Sequence, residues 1–246
     1  FMLDGQPLQI CAGDLFYTRV HPDLWEDRLR RVAALGVNAV QTYVMWNWHE
    51  RAPGKYDFAS PECDLGRFVR LAEEAGLLVL LRIGPYCCGE WELGGLPAHV
   101  IAPGAAEEVR TADASGRYER AWRAWFARLL PEIRPLLLEN GGPVAMLQLE
   151  NEYGAFGDVA GRPADRRYIE GLRDTVLAAL GPGPVLFTTD QGFPDAVRRG
   201  ALGPGNGVFS AVDFPPTAVG PVPFASLVSF PLADEANAPG PAPRFC

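Results

Sequence analysis

Short runs of Val, Leu and Ile alternate along the chain with stretches whose apolar residues recur at i, i+3, i+4 and i+7. This is the pattern of strands buried on both faces, each followed by an amphipathic helix. Leu8–Gly13 reads as a first strand, and Pro22 opens a helix with Trp25, Leu29, Val32 and Ala33 on one face and Gly36 as its stop. Val37–Trp46 is a second strand. Ser60-Pro61 has cap chemistry for a helix with Leu65, Phe68, Val69 and Ala72 as its buried stripe and Gly76 beyond it. Leu77–Ile83 is a third strand. The connection from Gly84 to about Gly116 is too long for a plain turn and marks a functional loop. A helix with Tyr118, Ala121, Trp122, Trp125, Phe126 and Leu129 in one stripe follows. Then come a strand at Pro143–Leu149, a helix at about Asp165–Leu180, and strands at Val185–Thr189 and about Val208–Val212.

Six βα units predict an α/β protein with a parallel sheet, and strand starts recurring about every 40 residues suit a βα barrel with extended loops. From Pro215 the pattern stops. Eight of the chain's 23 prolines fall in its last 32 residues, so residues 1–214 are read as the barrel domain and 215–246 as an irregular Pro-rich tail.

With 246 residues, 48% hydrophobic and 21% charged, the chain has enough apolar mass for a core. Its 22 basic against 30 acidic residues, a formal −8, argue against nucleic acid or an anionic membrane as partner. The sequence shows neither a spanning apolar run nor a leader pattern, which favours a cytoplasmic setting. Five cysteines without a C-x-x-C pair indicate neither a zinc knuckle nor a disulfide framework.

In such a barrel the chemistry lies just after each strand, and those positions are rich in carboxylates, amides and aromatic rings. They include Asp14, Tyr17 and Arg19; Tyr43, Trp46, Asn47, Trp48, His49 and Glu50; Tyr86, Glu90, Trp91 and Glu92; Glu150-Asn151-Glu152-Tyr153; and Asp190. Directional acceptors interleaved with flat apolar faces suit a neutral polyhydroxylated ligand. Gly94-Gly95 and Gly141-Gly142 lack the context of a phosphate loop. Asn151-Glu152 is the sharpest pair. A Glu screened by aromatics beside other carboxylates can keep a proton for a glycosidic oxygen, and the Asn before it can hold a sugar 2-hydroxyl. A metal-dependent sugar isomerase, with His49, Glu50, Glu90, Glu150 and Asp190 as oxygen-rich ligands, is the competing enzyme class.

Five ordered strings carry a family resemblance: LDGQPLQICAGDLFYTRVHPDLWEDRL, ALGVNAVQTYVMWNWHERAPGKYDF, LRIGPYCCGEWELGGLPAHV, NGGPVAMLQLENEYGAFG and VLFTTDQG. Over roughly residues 1–214 the chain resembles glycoside hydrolase family 35, the β-galactosidase family, whose members share a (β/α)8 barrel. The resemblance implies retaining hydrolysis of terminal β-D-galactosyl residues without cofactor or metal. It makes Glu152 the general acid/base and Asn151 its sugar-binding neighbour, and it sets Tyr43, Gly89 and Glu90 against the galactose hydroxyls. Glu90 also suits an ion pair with Arg82 or Arg19. Glu150 is expected to point away from the site, and His49 to support a strand-end network. Phe16, Met45, Cys87 and Gly89 depart mildly from the usual pattern.

The family's nucleophile is implied to follow strand seven in a segment resembling E-F-W-x-G-W-F-D-x-W-G, which this sequence does not contain. The expectation is therefore an incomplete barrel of about six units, truncated or frameshifted after about residue 214. It would be impaired in hydrolysis and prone to association through open edges. A non-catalytic galactoside-binding remnant is the alternative.

Overall fold

The computed structural model describes residues 1–101, 108–112, 115–159, 165–192, 194–202, 205–213 and 244–245. Six parallel strands form one sheet: β1 (Ala12–Asp14), β2 (Ala39–Tyr43), β3 (Leu78–Gly84), β4 (Val144–Leu149), β5 (Val185–Gln191) and β6 (Val208–Asp213). They lie in sequence order with each paired to the next, the curled half-barrel that six βα units predict.

Strand alternation gives the sheet two different faces. Outward-pointing Val40, Val79, Leu81, Leu147 and Leu186 pack against the helices α1 (Trp25–Ala34), α2 (Leu65–Glu74), α3 (Arg117–Ile133) and α5 (Arg166–Leu180). Trp25, Trp122 and Trp125 are fully buried in this layer. At about 25 cal/mol per Å² and roughly 150–250 Å² per ring, each supplies several kcal/mol before entropy is set against it. The concave face is layered. Ala39, Leu80, Met146, Val185 and Phe187 make its lower, apolar floor, onto which Phe1, Leu3, Leu8 and Ile10 of the N-terminal segment pack. Two residues further along each strand the same face turns polar, with Gln41, Arg82, Gln148 and Thr189. Tyr43, Gln191 and Asp213 complete that layer at the strand ends, where Tyr43 lies beside Arg82 and Gln191 beside Asp213.

Several boundaries differ from the sequence reading. β1 is three residues, because Leu8 and Ile10 serve the floor rather than the ladder. Trp46 does not extend β2 but begins a single helical turn, Trp46–His49. Pro22–Leu24 is a 3₁₀ turn ahead of α1. Pro61–Cys63 is another, and the N-cap of α2 is Asp64, whose carboxylate accepts from the Arg67 N–H at 2.7 Å, rather than Ser60. Two short helices follow β4 and β5, α4 (Tyr153–Val159) and α6 (Pro194–Gly200); their residues are too few for a helical period to announce them. The tail expected to be irregular lies outside the described residues except Arg244–Phe245, which pairs in parallel with Met2–Leu3. The four described cysteines, Cys11, Cys63, Cys87 and Cys88, are free thiols. Among the described residues no helix is long and apolar enough to cross a membrane.

Candidate active site

The turn leaving β4 departs from extended geometry at two carboxylate residues. Glu150 (φ +60°) and Glu152 (φ +45°) both take left-handed backbone, a region costing a non-glycine residue roughly 1–3 kcal/mol. Neighbouring strand ends hold the turn in place. The Glu150 N–H donates to the Gly84 carbonyl at 3.0 Å, and the Glu152 N–H to the Thr189 carbonyl at 2.8 Å. The Gly154 N–H, at the start of α4, donates to Asp190 Oδ1 at 2.8 Å.

The alternating left-handed residues send the two glutamates to different surroundings. Glu150, 1% exposed, receives both arms of Arg110, at 3.1 and 2.7 Å, and the Tyr168 hydroxyl at 2.9 Å. It is a buried ion pair turned toward α5, as expected of its direction, although the backbone that turns it is not extended. Glu152 is half-buried and faces the concave side. Gln191 Nε2 donates to its Oε2 at 3.3 Å, and its charge acts on Asp213 at the end of β6.

Asn151, buried between them, receives Arg82 at its side-chain oxygen, and the same guanidinium donates to the Tyr43 hydroxyl. Arg82 therefore ties Tyr43 on β2 to Asn151 beyond β4 and lies over the Tyr43 ring, 4.1 Å from its centroid. Asp14 accepts from Gln41 at 2.9 Å and more loosely from Tyr43 at 3.4 Å. Gly89 sits against Tyr43 in left-handed backbone (φ +62°), and a Cβ there would stand 3.2 Å from the ring. Of the two readings of Glu90, the ion pair is not formed: its carboxylate is exposed and pairs with neither Arg82 nor Arg19. Arg19 instead donates to the backbone carbonyls of Gly89 (2.8 Å) and Glu90 (2.7 Å), its guanidinium lying over the rings of Phe16 and Trp91. A cation anchored on carbonyls fixes the loop and leaves the Glu90 carboxylate free toward solvent.

On the far side of Glu152 the balance of charge is negative. Asp190 is fully buried, has one oxygen without a partner, and is pushed up to about 7, by burial first and then by Glu150, Asp213 and Glu152. Asp213 is pushed up to about 6, by burial and then by Glu152. No cation pairs with either carboxyl among the described residues, and Arg82 only partly offsets the field at Asp213. These are the conditions under which a carboxyl keeps its proton near neutral pH.

His49 is absorbed elsewhere. It stacks on Phe58, its Nδ1 meets the Asp57 carbonyl at 2.6 Å, and its Nε2 meets the Tyr17 hydroxyl. Burial pulls it down to about 4, so it is a neutral support. Glu50 accepts from the Trp46 indole and from the Gly54 N–H at 2.6 Å. Among the described residues no group of three His, Cys, Asp or Glu is placed to hold a metal, and the ligand set imagined for an isomerase is not brought together.

Of the residues singled out in the sequence, Tyr43 and Asn151 are tied together by Arg82, Gly89 lies against the Tyr43 ring, Glu152 meets Gln191 on the β5 side, and Glu90 is exposed on its loop. Asp213 was passed over, although it follows an apolar strand as Asp190 does and the same rule would have found it. Arg110 gave no signal, since nothing in the sequence ties it to a glutamate 40 residues away.

A parallel half-barrel with carboxylates, an amide and aromatic rings at its strand ends is the architecture of glycoside hydrolase barrels. Solved structures of that kind share the fold. An exo-β-1,4-mannosidase from Opitutaceae bacterium strain TAV5 superposes with a TM-score of 0.55 at 17% identity, covering 74% of this chain and 32% of that one. A GH5_18 protein from Streptomyces cattleya, solved with GlcNAc, gives 0.56 at 16% identity over 81% and 50%. The chain belongs to glycosyl hydrolases family 35, whose profile matches residues 1–241. It is 44% identical over 243 residues to beta-galactosidase 17 of Arabidopsis thaliana, covering 99% of this chain and 33% of that protein. It is 43% identical over 214 residues to the beta-galactosidase of Homo sapiens, covering 87% and 30%. The chain thus spans about a third of the length of these relatives. The family match extends to residue 241, past the point near residue 214 where the resemblance was expected to stop.

Proposed function

We propose that these strand ends are the acid/base half of a site that hydrolyses terminal β-D-galactosyl residues with retention. Glu152 protonates the glycosidic oxygen and later deprotonates water, Asn151 holds the 2-hydroxyl, and Tyr43, the Gly89 loop and Glu90 contact the remaining hydroxyls. The observation that supports this most is the position of Glu152. It is a half-buried carboxyl facing the hollow, backed by carboxyls rather than by a cation, with Asn151 beside it. Family membership and the names of the relatives point to the same chemistry.

Retention needs a second carboxyl about 5–5.5 Å from the first, acting as nucleophile. The sequence holds no counterpart of the implied nucleophile segment, so a polypeptide of these 246 residues alone binds a galactoside but turns it over poorly. Calorimetric titration of the purified chain with galactose, together with hydrolysis of an aryl β-galactoside, tests both statements. The expected result is a saturable heat that Asn151→Ala abolishes, with turnover well below that of an intact enzyme. Absence of any heat contradicts the site. Brisk turnover lost on Glu152→Gln would uphold Glu152 and overturn the impairment.

A further inference from the structure

Three consecutive residues after β3, Cys88 (φ +59°), Gly89 (φ +62°) and Glu90 (φ +46°), take left-handed backbone, and two of them carry side chains. Such a run persists only where its surroundings over-determine it. Within the loop the Trp91 N–H donates to the Cys88 carbonyl at 3.1 Å. The other two carbonyls of the run, those of Gly89 and Glu90, both accept from one nitrogen, Nη2 of Arg19, on the segment after β1. The Arg19 guanidinium lies over Phe16 on its own segment and over Trp91 on the loop, 4.7 and 5.5 Å from the ring centroids. Phe16, one of the positions at which the chain departs from the family's usual pattern, packs in turn on Tyr43, with centroids 4.1 Å apart. The Trp91 indole donates to Asn47 Oδ1 at 2.9 Å, and Asn47 Nδ2 donates to the Glu92 carbonyl at 3.1 Å. Segments leaving β1, β2 and β3 are thereby joined around one exposed cation.

We infer that Arg19 is a positioning residue for sugar binding: held over Phe16 and Trp91, it clamps the Gly89 and Glu90 carbonyls and so keeps the left-handed run in the shape that sets Gly89 against the Tyr43 ring. That role rests on the reading of Tyr43 and the Gly89 loop as galactose contacts. A loop that already has its bound shape does not have to be ordered by the ligand. Without the guanidinium the two carbonyls turn to water, the run loses contacts that select its backbone angles, and affinity falls with the fraction of molecules whose loop is in place. Because a single nitrogen meets both carbonyls, a lysine ammonium with its three donors can do the same, and an alanine cannot.

The test compares the whole chain with Arg19→Ala and Arg19→Lys by calorimetric titration with galactose, urea unfolding and amide hydrogen exchange. In Arg19→Ala galactose affinity should fall about tenfold. The N–H groups of Trp91 and Gly94, which donate within the loop, should exchange faster while those of β3 and β4 stay slow, and the urea midpoint should hold because the side chain is exposed. Arg19→Lys should recover most of the lost affinity and protection. Unchanged affinity in Arg19→Ala, unchanged exchange of the loop amides, a loss that follows a fall in the urea midpoint, or an equal loss in Arg19→Lys would each overturn the clamp. Absence of heat from the unsubstituted chain sinks the functional reading instead, and the exchange rates still decide whether Arg19 holds the loop.

Discussion

Two regions on either side of one turn hold carboxyls differently. Toward α5, Glu150 is closed in by Arg110, Tyr168 and the Asn151 N–H, with every charge answered. Toward β5 and β6, Glu152, Asp190 and Asp213 feel one another's charge and Glu152 accepts from a glutamine, with no paired cation among the described residues. Glu150 and Glu152 are two positions apart, yet one sits in a set built for rigidity and the other beside carboxyls, Asp190 and Asp213, that hold a proton. A satisfied ion pair fixes a left-handed turn; an under-compensated carboxyl cluster makes a group ready to give a proton away.

The largest way to break the contrast is to open the satisfied side. Arg110→Ala strands Glu150 in a buried pocket, and removing one partner of such a pair costs about 3–5 kcal/mol, which urea denaturation at pH 7 should show. The unsatisfied side should respond in the opposite sense. Folded Asp190 keeps its proton to about 7 against an ordinary 3.8, so its contribution is complete below about pH 4 and is lost as pH rises through 7. Asp190→Asn, which mimics the protonated form, should leave stability at pH 4 unchanged and raise it at pH 8 by up to about 4 kcal/mol, since each pKa unit corresponds to about 1.36 kcal/mol. His49, held neutral down to about 4, works the other way: its contribution is complete above 6.5 and is lost as pH falls. The smallest effect lies between the two regions. Arg82→Lys cannot span the Tyr43 hydroxyl and Asn151 together, and galactose affinity should drop about tenfold, equivalent to about 1.4 kcal/mol.

Much of this was legible in the sequence. The β3 and β4 runs and the stripes of α2, α3 and α5 come from periodicity, and the strand-end rule points at Asn151, Glu152 and Asp190. What the sequence hid is of two kinds. Local geometry overrode pattern where a cap or turn competed, as with Asp64 taking the cap from Ser60 and Trp46 leaving β2 for a helical turn. Long-range pairing left no trace: Arg82 reaching Asn151, Arg110 reaching Glu150 and Arg19 choosing carbonyls over the Glu90 carboxylate depend on which strand ends meet in three dimensions.

The division of labour within Glu150-Asn151-Glu152 is tested most directly by the urea midpoints of Glu150→Gln and Glu152→Gln at pH 7. Neutralising Glu150 leaves a buried Arg110 without its counter-charge and should cost about 3 kcal/mol or more. Neutralising Glu152 relieves a carboxyl cluster and should cost less than about 0.5 kcal/mol or stabilise the fold. Equal losses, or a larger loss at Glu152, would contradict the assignment of structure to one glutamate and chemistry to the other.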